Sequence, residues 1–107
     1  QYLRSTDNRI AGALRDGWLR KIVQASKHML RSPRGWAIDA GALATARAAG
    51  AVGLRIEDTE SGRVYLADWD TLDTHGYTFN RGYGDQVALP LKHWQLQGAP
   101  TQAALFA

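Results

Sequence analysis

The hydrophobic period of the sequence changes near Gly50, and this change constrains the fold more than any other feature. Between residues 7 and 30, apolar side chains recur at three- and four-residue steps, the spacing typical of an α-helix with one buried face. That face comprises Ile10, Leu14, Trp18, Ile22, Ala25 and Met29. Beyond Gly50, apolar and polar side chains alternate, which indicates strands that bury one face of a sheet. The sequence therefore predicts a long first helix that packs Trp18 and Ile22 against a sheet.

Capping and turn residues locate the other elements. Asp39 can cap a second helix that Gly50 ends, and "DTESG" joins two alternating stretches into a predicted β-hairpin. Asp68 and Gly76 bound a short helix, and two further strands flank "NRGYGD". The predicted fold class is α+β, with two N-terminal helices packed on a four-stranded, mostly antiparallel sheet in the order α-α-β-β-short α-β-β.

The absence of cysteine excludes a disulfide framework and a thiolate metal site, so packing must stabilise the fold. The 107 residues match the size of one ordinary domain. Residues 1–97 are predicted to form this domain and residues 98–107 a C-terminal tail. No stretch approaches the roughly 18 consecutive apolar residues of a membrane span. The protein is therefore expected in the cytoplasm, with no membrane partner.

Positive charge is concentrated in the first third of the chain. Residues 1–34 contain eight basic and two acidic residues, a net charge of +6, whereas residues 35–107 contain five basic and eight acidic residues, a net charge of −3. Such an asymmetry favours polyanionic partners, nucleic acid above all. On the predicted first helix, basic side chains form a ridge opposite Trp18 that would display this charge.

The function predicted from this charge is nucleic-acid binding by a small accessory domain, with DNA and RNA both possible. Five basic residues are expected to contact phosphates: Arg9, Arg20, Lys27, Arg31 and Arg34. In the glycine-flanked loop after residue 80, Arg81 would supply a further cation and Tyr83 a stacking face. No catalytic residue is predicted for this function.

Two other classes of function remain open. A metal-independent ribonuclease or toxin-like enzyme would need a general base, a general acid and a cation for the phosphate. The candidates for these roles are Glu57, His75 or His93, and Arg81. The third class is a structural or protein-interaction subunit of a homo-oligomer such as a homodimer, because the apolar sector of the first helix is wide and the tail is apolar.

The spacing of the histidines argues against a metal site. His28, His75 and His93 are far apart in the sequence, and none belongs to a ligand motif such as HExxH. The glycine-rich "GYGD" precedes a strand, whereas a dinucleotide-binding loop or a P-loop must open a helix. The sequence therefore predicts no metal and no cofactor.

Overall fold

A computed structural model of the protein describes residues 14–15, 17–80, 82 and 84–97. Strands predominate over helices in this part of the chain. The elements in chain order are β1 (Leu14–Arg15), β2 (Trp18–Val23), α1 (Ala25–His28), β3 (Leu30–Arg31), β4 (Arg34–Asp39), α2 (Ala40–Ala48), β5 (Gly53–Asp58), β6 (Val64–Asp68), α3 (Trp69–His75), β7 (Tyr77–Asn80), β8 (Asp85–Pro90), a 3-10 helix (Leu91–His93) and β9 (Gln95–Leu96).

The strands form two sheets. The first sheet has five strands in the order β1-β2-β5-β6-β9, and the second has four in the order β3-β4-β8-β7. Within the described residues, β2 and β5 are the one parallel pair, and all other neighbours are antiparallel. Successive pairs of strands along the chain therefore belong alternately to the two sheets.

Side chains from both sheets meet in one hydrophobic core. Trp36 of β4 is 1% exposed and its ring lies 5.7 Å from the ring of Tyr65 of β6, which joins the two sheets. Helix α2 contributes Leu43 and helix α3 contributes Leu72 to the same cluster. Trp94 closes the core after the 3-10 helix, and its indole N–H donates a 2.9 Å hydrogen bond to the carbonyl oxygen of Leu89. The described core is thus built from every layer of the fold.

The prediction of a long first helix is wrong over its described part. Residues 18–23 form β2, helical structure is confined to the four residues of α1, and Ile22 is 55% exposed instead of buried. The physical reason is that a spacing of four is an even number, so Trp18 and Ile22 share a face in a strand as well as in a helix. Gly17, with φ of +86°, adopts a conformation that a continuous helix does not contain. The basic ridge that depended on this helix is therefore not a feature of residues 14–15 and 17–31.

The prediction of a single four-stranded sheet is also wrong. The predicted hairpin exists as β5 and β6, but the two strands after α3 pair with β4 in the second sheet and not with β6. Alternation along a strand shows which face is buried but carries no information about which strand is its neighbour. Two N-terminal helices on one sheet are replaced by two sheets with three α-helices in the described part of the chain.

The locally encoded elements are confirmed. The side chain of Asp39 accepts a 2.9 Å hydrogen bond from the backbone N–H of Ala42 at the start of α2, and Gly50 follows this helix with φ of +92°. Asp68 caps α3 in the same way, by accepting from the backbone N–H of Thr71 at 2.9 Å. Each cap satisfies an amide that the helix itself leaves without a partner.

Contacts with the β5–β6 turn explain how the very short α1 forms. Asp58, 4% exposed, accepts a 3.1 Å hydrogen bond from the backbone N–H of Ala25. Glu60 accepts from the backbone N–H of Ser26 at 2.7 Å and from its hydroxyl at 2.5 Å. Because four residues are too few for an independent helix, these tertiary hydrogen bonds stabilise it.

Within the described residues, no helix is long and apolar enough to cross a membrane. Residues 7–13 of the predicted first helix and the predicted tail, residues 98–107, lie outside the described part of the chain.

Two isoleucines on opposite faces of the first sheet provide a matched test of this arrangement. Ile56 is fully buried and Ile22 is 55% exposed. We expect Ile56→Ala to lower the free energy of unfolding by about 2–5 kcal/mol, because it leaves a cavity in the core. Ile22→Ala should cost less than about 1 kcal/mol, mostly through strand preference. Urea denaturation of both variants measures the difference, and equal losses would contradict the assignment of residues 18–23 to a strand.

Candidate functional site

Two arginines flank the tight turn between β3 and β4. Arg31 is the register partner of Arg34, and Ser32 and Pro33 connect them. Both arginines are exposed, and no carboxylate among the described residues pairs with either of them. The turn therefore presents two cations whose charge is available to a ligand.

A first depression lies on one side of this turn, at the end of β8. Its volume is about 490 Å³, and its lining contains Pro33, Arg34, Pro90, Leu91 and Lys92. Gly35 pairs with Pro90 here, and a Cβ at Gly35 would collide with the carbonyl oxygen of Leu89. This close approach brings the turn next to the 3-10 helix, so that one depression combines two cations with an apolar floor.

A second depression lies on the other side of the turn and is bordered by aromatic rings of β7. It has a volume of about 240 Å³ and is lined by Leu30, Arg31, Ser32, Tyr77 and Phe79. The two rings are on the same face of β7, with centroids 6.2 Å apart, and Tyr77 is 38% exposed. Arg31 thus shares a concave surface with two aromatic side chains. We call the surface formed by Arg31, Arg34, Lys92, Tyr77 and Phe79 the cationic edge.

Two histidines stack on each other beside the cationic edge. His75 ends α3 and His93 ends the 3-10 helix, and their ring centroids are 3.8 Å apart with an angle of 7° between the planes. Burial lowers the pKa of His93, and the nearby His75 and Lys92 lower it further. Neither imidazole forms a hydrogen bond with any described residue. Although the sequence placed these histidines far apart, the topology brings them together.

Arg20, a predicted phosphate contact, is instead engaged in an ion-pair network on the first sheet. Its Nε and Nη2 donate hydrogen bonds of 2.8 Å to the two carboxylate oxygens of Glu57, and Arg55 Nε donates to the same carboxylate at 2.6 Å. The hydrogen bonds from Arg20 are the main reason that the pKa of Glu57 falls from 4.5 to about 2. Glu57 therefore stays ionised and paired, which argues against its role as a general base.

The remaining predicted site residues are dispersed. Lys27 is exposed on α1, where its charge acts on Glu60. Arg9, Arg81 and Tyr83 lie outside the described residues. Within the loop between β7 and β8, Asn80 accepts a 2.6 Å hydrogen bond from the backbone N–H of Gly82 and donates a 3.0 Å hydrogen bond to Asp85. Of the predicted set, the structure thus brings together only Arg31 and Arg34 on one described surface.

Sequence reasoning missed Lys92, Tyr77, Phe79 and the pairing of the histidines. The sequence predicts strands on both sides of "NRGYGD", but the proximity of their residues to the Arg31–Arg34 turn follows from the pairing of β8 with both β4 and β7. The sequence does not show this order of strands in the second sheet.

No group of three or more metal-ligating side chains occurs in the part of the chain that the structure describes. Comparison of the chain with models of protein families, with curated proteins and with solved structures gave no match.

The network around Glu57 predicts how stability depends on pH. Because the pKa of Glu57 is lowered from 4.5 to about 2 in the folded protein, its contribution is complete above pH 4.5 and is lost as the pH falls towards 2. Glu57→Gln should flatten this decline, as measured by urea denaturation from pH 6 to pH 2.5.

Asp70→Asn is the matched control, since Asp70 is exposed and accepts no hydrogen bond from the described residues. This variant should retain the decline of the wild-type protein. An equally steep decline in Glu57→Gln would contradict the proposed role of the ion pairs.

Proposed function

We propose that the protein binds single-stranded nucleic acid at the cationic edge. The observation that carries this proposal is the meeting of three exposed or half-exposed cationic positions with two aromatic rings, in a place where no described carboxylate neutralises the cations. A nucleotide complements both kinds of group, because its anionic phosphate can pair with the cations and its flat base can stack on the rings.

The cations support phosphate binding in two ways. Exposed guanidinium groups bind phosphate oxygens with paired hydrogen bonds, and an ammonium group adds a compact charge. Arg31 and Arg34 are on the two sides of one turn, and Lys92 lines the first depression together with Arg34. Successive phosphates of one strand can therefore bind these cations in the two depressions, one on each side of the turn.

The aromatic rings favour a single strand over a duplex. A base can stack on a protein ring only when it has left its neighbours in the helix, which is normal for single strands and costly for duplexes. The ring of Tyr77 is partly exposed next to Arg31 in the second depression. Stacking of this kind tolerates any base, so the proposal includes no sequence preference.

Arg81 and Tyr83, which lie outside the described residues, remain predicted contacts. They follow Asn80, the last residue of the strand that carries Tyr77 and Phe79. Arg9 remains a prediction as well. Arg20 is not included, because its guanidinium is already bound by Glu57. Lys27 is not included either, because it lines neither depression.

The other functional classes and the location stay open to test. A metal-independent ribonuclease would require a base other than Glu57, and a structural subunit would require none of the unpaired cations. We also propose that the protein acts in the cytoplasm. A chain without cysteine forms no disulfide bonds and therefore needs no oxidising compartment.

Removal of the two turn arginines tests the electrostatic part of the proposal. For a single strand, each lost phosphate contact lowers the slope of log affinity against log salt by about 0.7. Arg31→Ala combined with Arg34→Ala should therefore lower this slope by about 1.4 for labelled single-stranded RNA and DNA. Fluorescence anisotropy at several salt concentrations measures the slope, and a gel of each sample shows whether the RNA was cleaved.

Lys27→Ala combined with Arg63→Ala is the matched control, because it removes the same charge from two exposed positions outside the depressions. This variant should keep the wild-type slope. Equal losses in both double variants, or no binding by the wild-type protein at low salt, would refute binding at the cationic edge.

Tyr77 tests the stacking part separately. Loss of one base–aromatic stack costs about 1–3 kcal/mol, which corresponds to roughly 5- to 150-fold weaker binding. Tyr77→Ala should weaken binding of single strands by this amount, and Tyr77→Phe should preserve it because the ring is retained. Binding of a duplex, which offers no free base, should change little in either variant. A loss in Tyr77→Phe as large as in Tyr77→Ala would assign the effect to the hydroxyl group and contradict stacking.

A further inference from the structure

We propose that His75, His93 and Lys92 form a phosphate-binding subsite that takes up a proton when it is occupied, so that the protein binds nucleic acid more tightly at mildly acidic pH. This inference rests on the proposed function, since it assigns a regulation to the same surface. The ligand class is a phosphate group, either within the nucleic-acid backbone or at a 5′ end.

The geometry of the histidine pair leaves its ring nitrogens available. Stacking at 3.8 Å with 7° between the planes covers the faces of the two rings, whereas the nitrogens lie at their edges. No described residue forms a hydrogen bond with either imidazole, and the side of the pair formed by His75 is exposed. A phosphate oxygen approaching the edge of the stack can therefore accept hydrogen bonds from both rings.

The charges around the pair oppose its protonation in the free protein. A positive charge on His93 is disfavoured by partial burial, by the second ring and by Lys92, and these effects lower its pKa. Arg34, at the start of β4, adds a further cation to the adjoining depression. Near neutral pH, a second positive charge within the stack would be repelled by the first.

The carboxylates on the elements packed around the pair have other hydrogen-bond or ion-pair partners or lie elsewhere. On α3, Asp73 accepts two 2.9 Å hydrogen bonds from Arg47, and Asp70 acts on Arg47 as well. The others are Asp68 of β6, which caps α3, Asp39 of β4, which caps α2, and Asp85 of β8, which accepts from Asn80. None of them contributes to the pKa of His93. No described carboxylate therefore neutralises a positive charge on the pair.

A bound phosphate supplies the missing negative charge. Protonation of His93 then becomes favourable, because the imidazolium gains a charge-assisted hydrogen bond and its repulsion from Lys92 is offset. Since the bound state holds a proton that the free state lacks, binding must strengthen as the pH falls through the imidazole range. Lys92 lines the first depression and adjoins His93, which connects this subsite to the proposed path of the strand.

The direct test follows the imidazole signals by NMR during a pH titration, with and without pyrophosphate as the probe. Pyrophosphate should raise the pKa of His93. The signals of His28, an exposed histidine whose Nδ1 accepts a hydrogen bond from the backbone N–H of Gln24, should not respond to pyrophosphate. A response of His93 no larger than that of His28 would overturn the subsite.

The functional test compares dissociation constants between pH 7.5 and pH 5.5 for labelled single strands with a 5′-phosphate or a 5′-hydroxyl. Uptake of one proton should strengthen wild-type binding by roughly tenfold across this range. His93→Gln should remove most of this change, whereas the control His28→Gln should retain it. Circular dichroism at both pH values establishes that each variant is folded.

The outcomes separate the two proposals. A pH-dependent change with both oligonucleotides assigns the subsite to backbone phosphates, and a change confined to the phosphorylated one assigns it to a 5′ end. Binding that depends on pH equally in the wild-type protein and His93→Gln overturns the subsite and leaves the proposed function intact. A response of His93 to pyrophosphate without any binding of oligonucleotides supports the subsite and overturns the proposed function.

Discussion

The burial of Trp36 between the two sheets is the interaction on which the rest of the structure depends. Covering an indole side chain removes about 150–250 Å² from water and stabilises the fold by about 4–6 kcal/mol. No described residue accepts a hydrogen bond from its Nε1 atom, which costs about 1–3 kcal/mol, so the apolar term prevails. Because Trp36 pairs with Leu89 and contacts Tyr65, the same residue aligns β4 with β8 and holds one sheet against the other.

Some of the described cations are engaged in ion pairs, whereas others have no carboxylate partner among the described residues. Arg20 and Arg55 share Glu57, and Arg47 pairs with Asp73 while lying 5.4 Å from the ring of Trp69. These arginines join neighbouring strands or helices and have little charge left for a ligand. The cations at the end of the second sheet have no such partners among the described residues. Net charge alone therefore overstates the basic surface, and the positions of the carboxylates determine which cations can bind a polyanion.

Local signals in the sequence predicted local structure well. Asp39 and Asp68 were recognised as helix caps because capping depends on residues within one turn. The first helix was mispredicted because its four-residue spacing also fits one face of a strand. The parallel partner of β2 is β5, which begins at Gly53, and no nearby residue indicates this pairing. Charge identified Arg31 and Arg34, but Lys92, the aromatic rings and the histidine stack depend on contacts between elements that are distant in the sequence.

The alternation of strands between the sheets has a consequence for how the chain can acquire its structure. The chain supplies β1 and β2 to the first sheet, β3 and β4 to the second, β5 and β6 to the first, β7 and β8 to the second, and β9 to the first. The strands of each sheet are therefore separated in the sequence by strands of the other sheet. Each also relies on contacts of high sequence separation, such as that of β2 with β5, which makes folding slow compared with that of a helical bundle. We therefore expect the described part of the chain to fold in one cooperative step, without a stable intermediate that contains only one sheet.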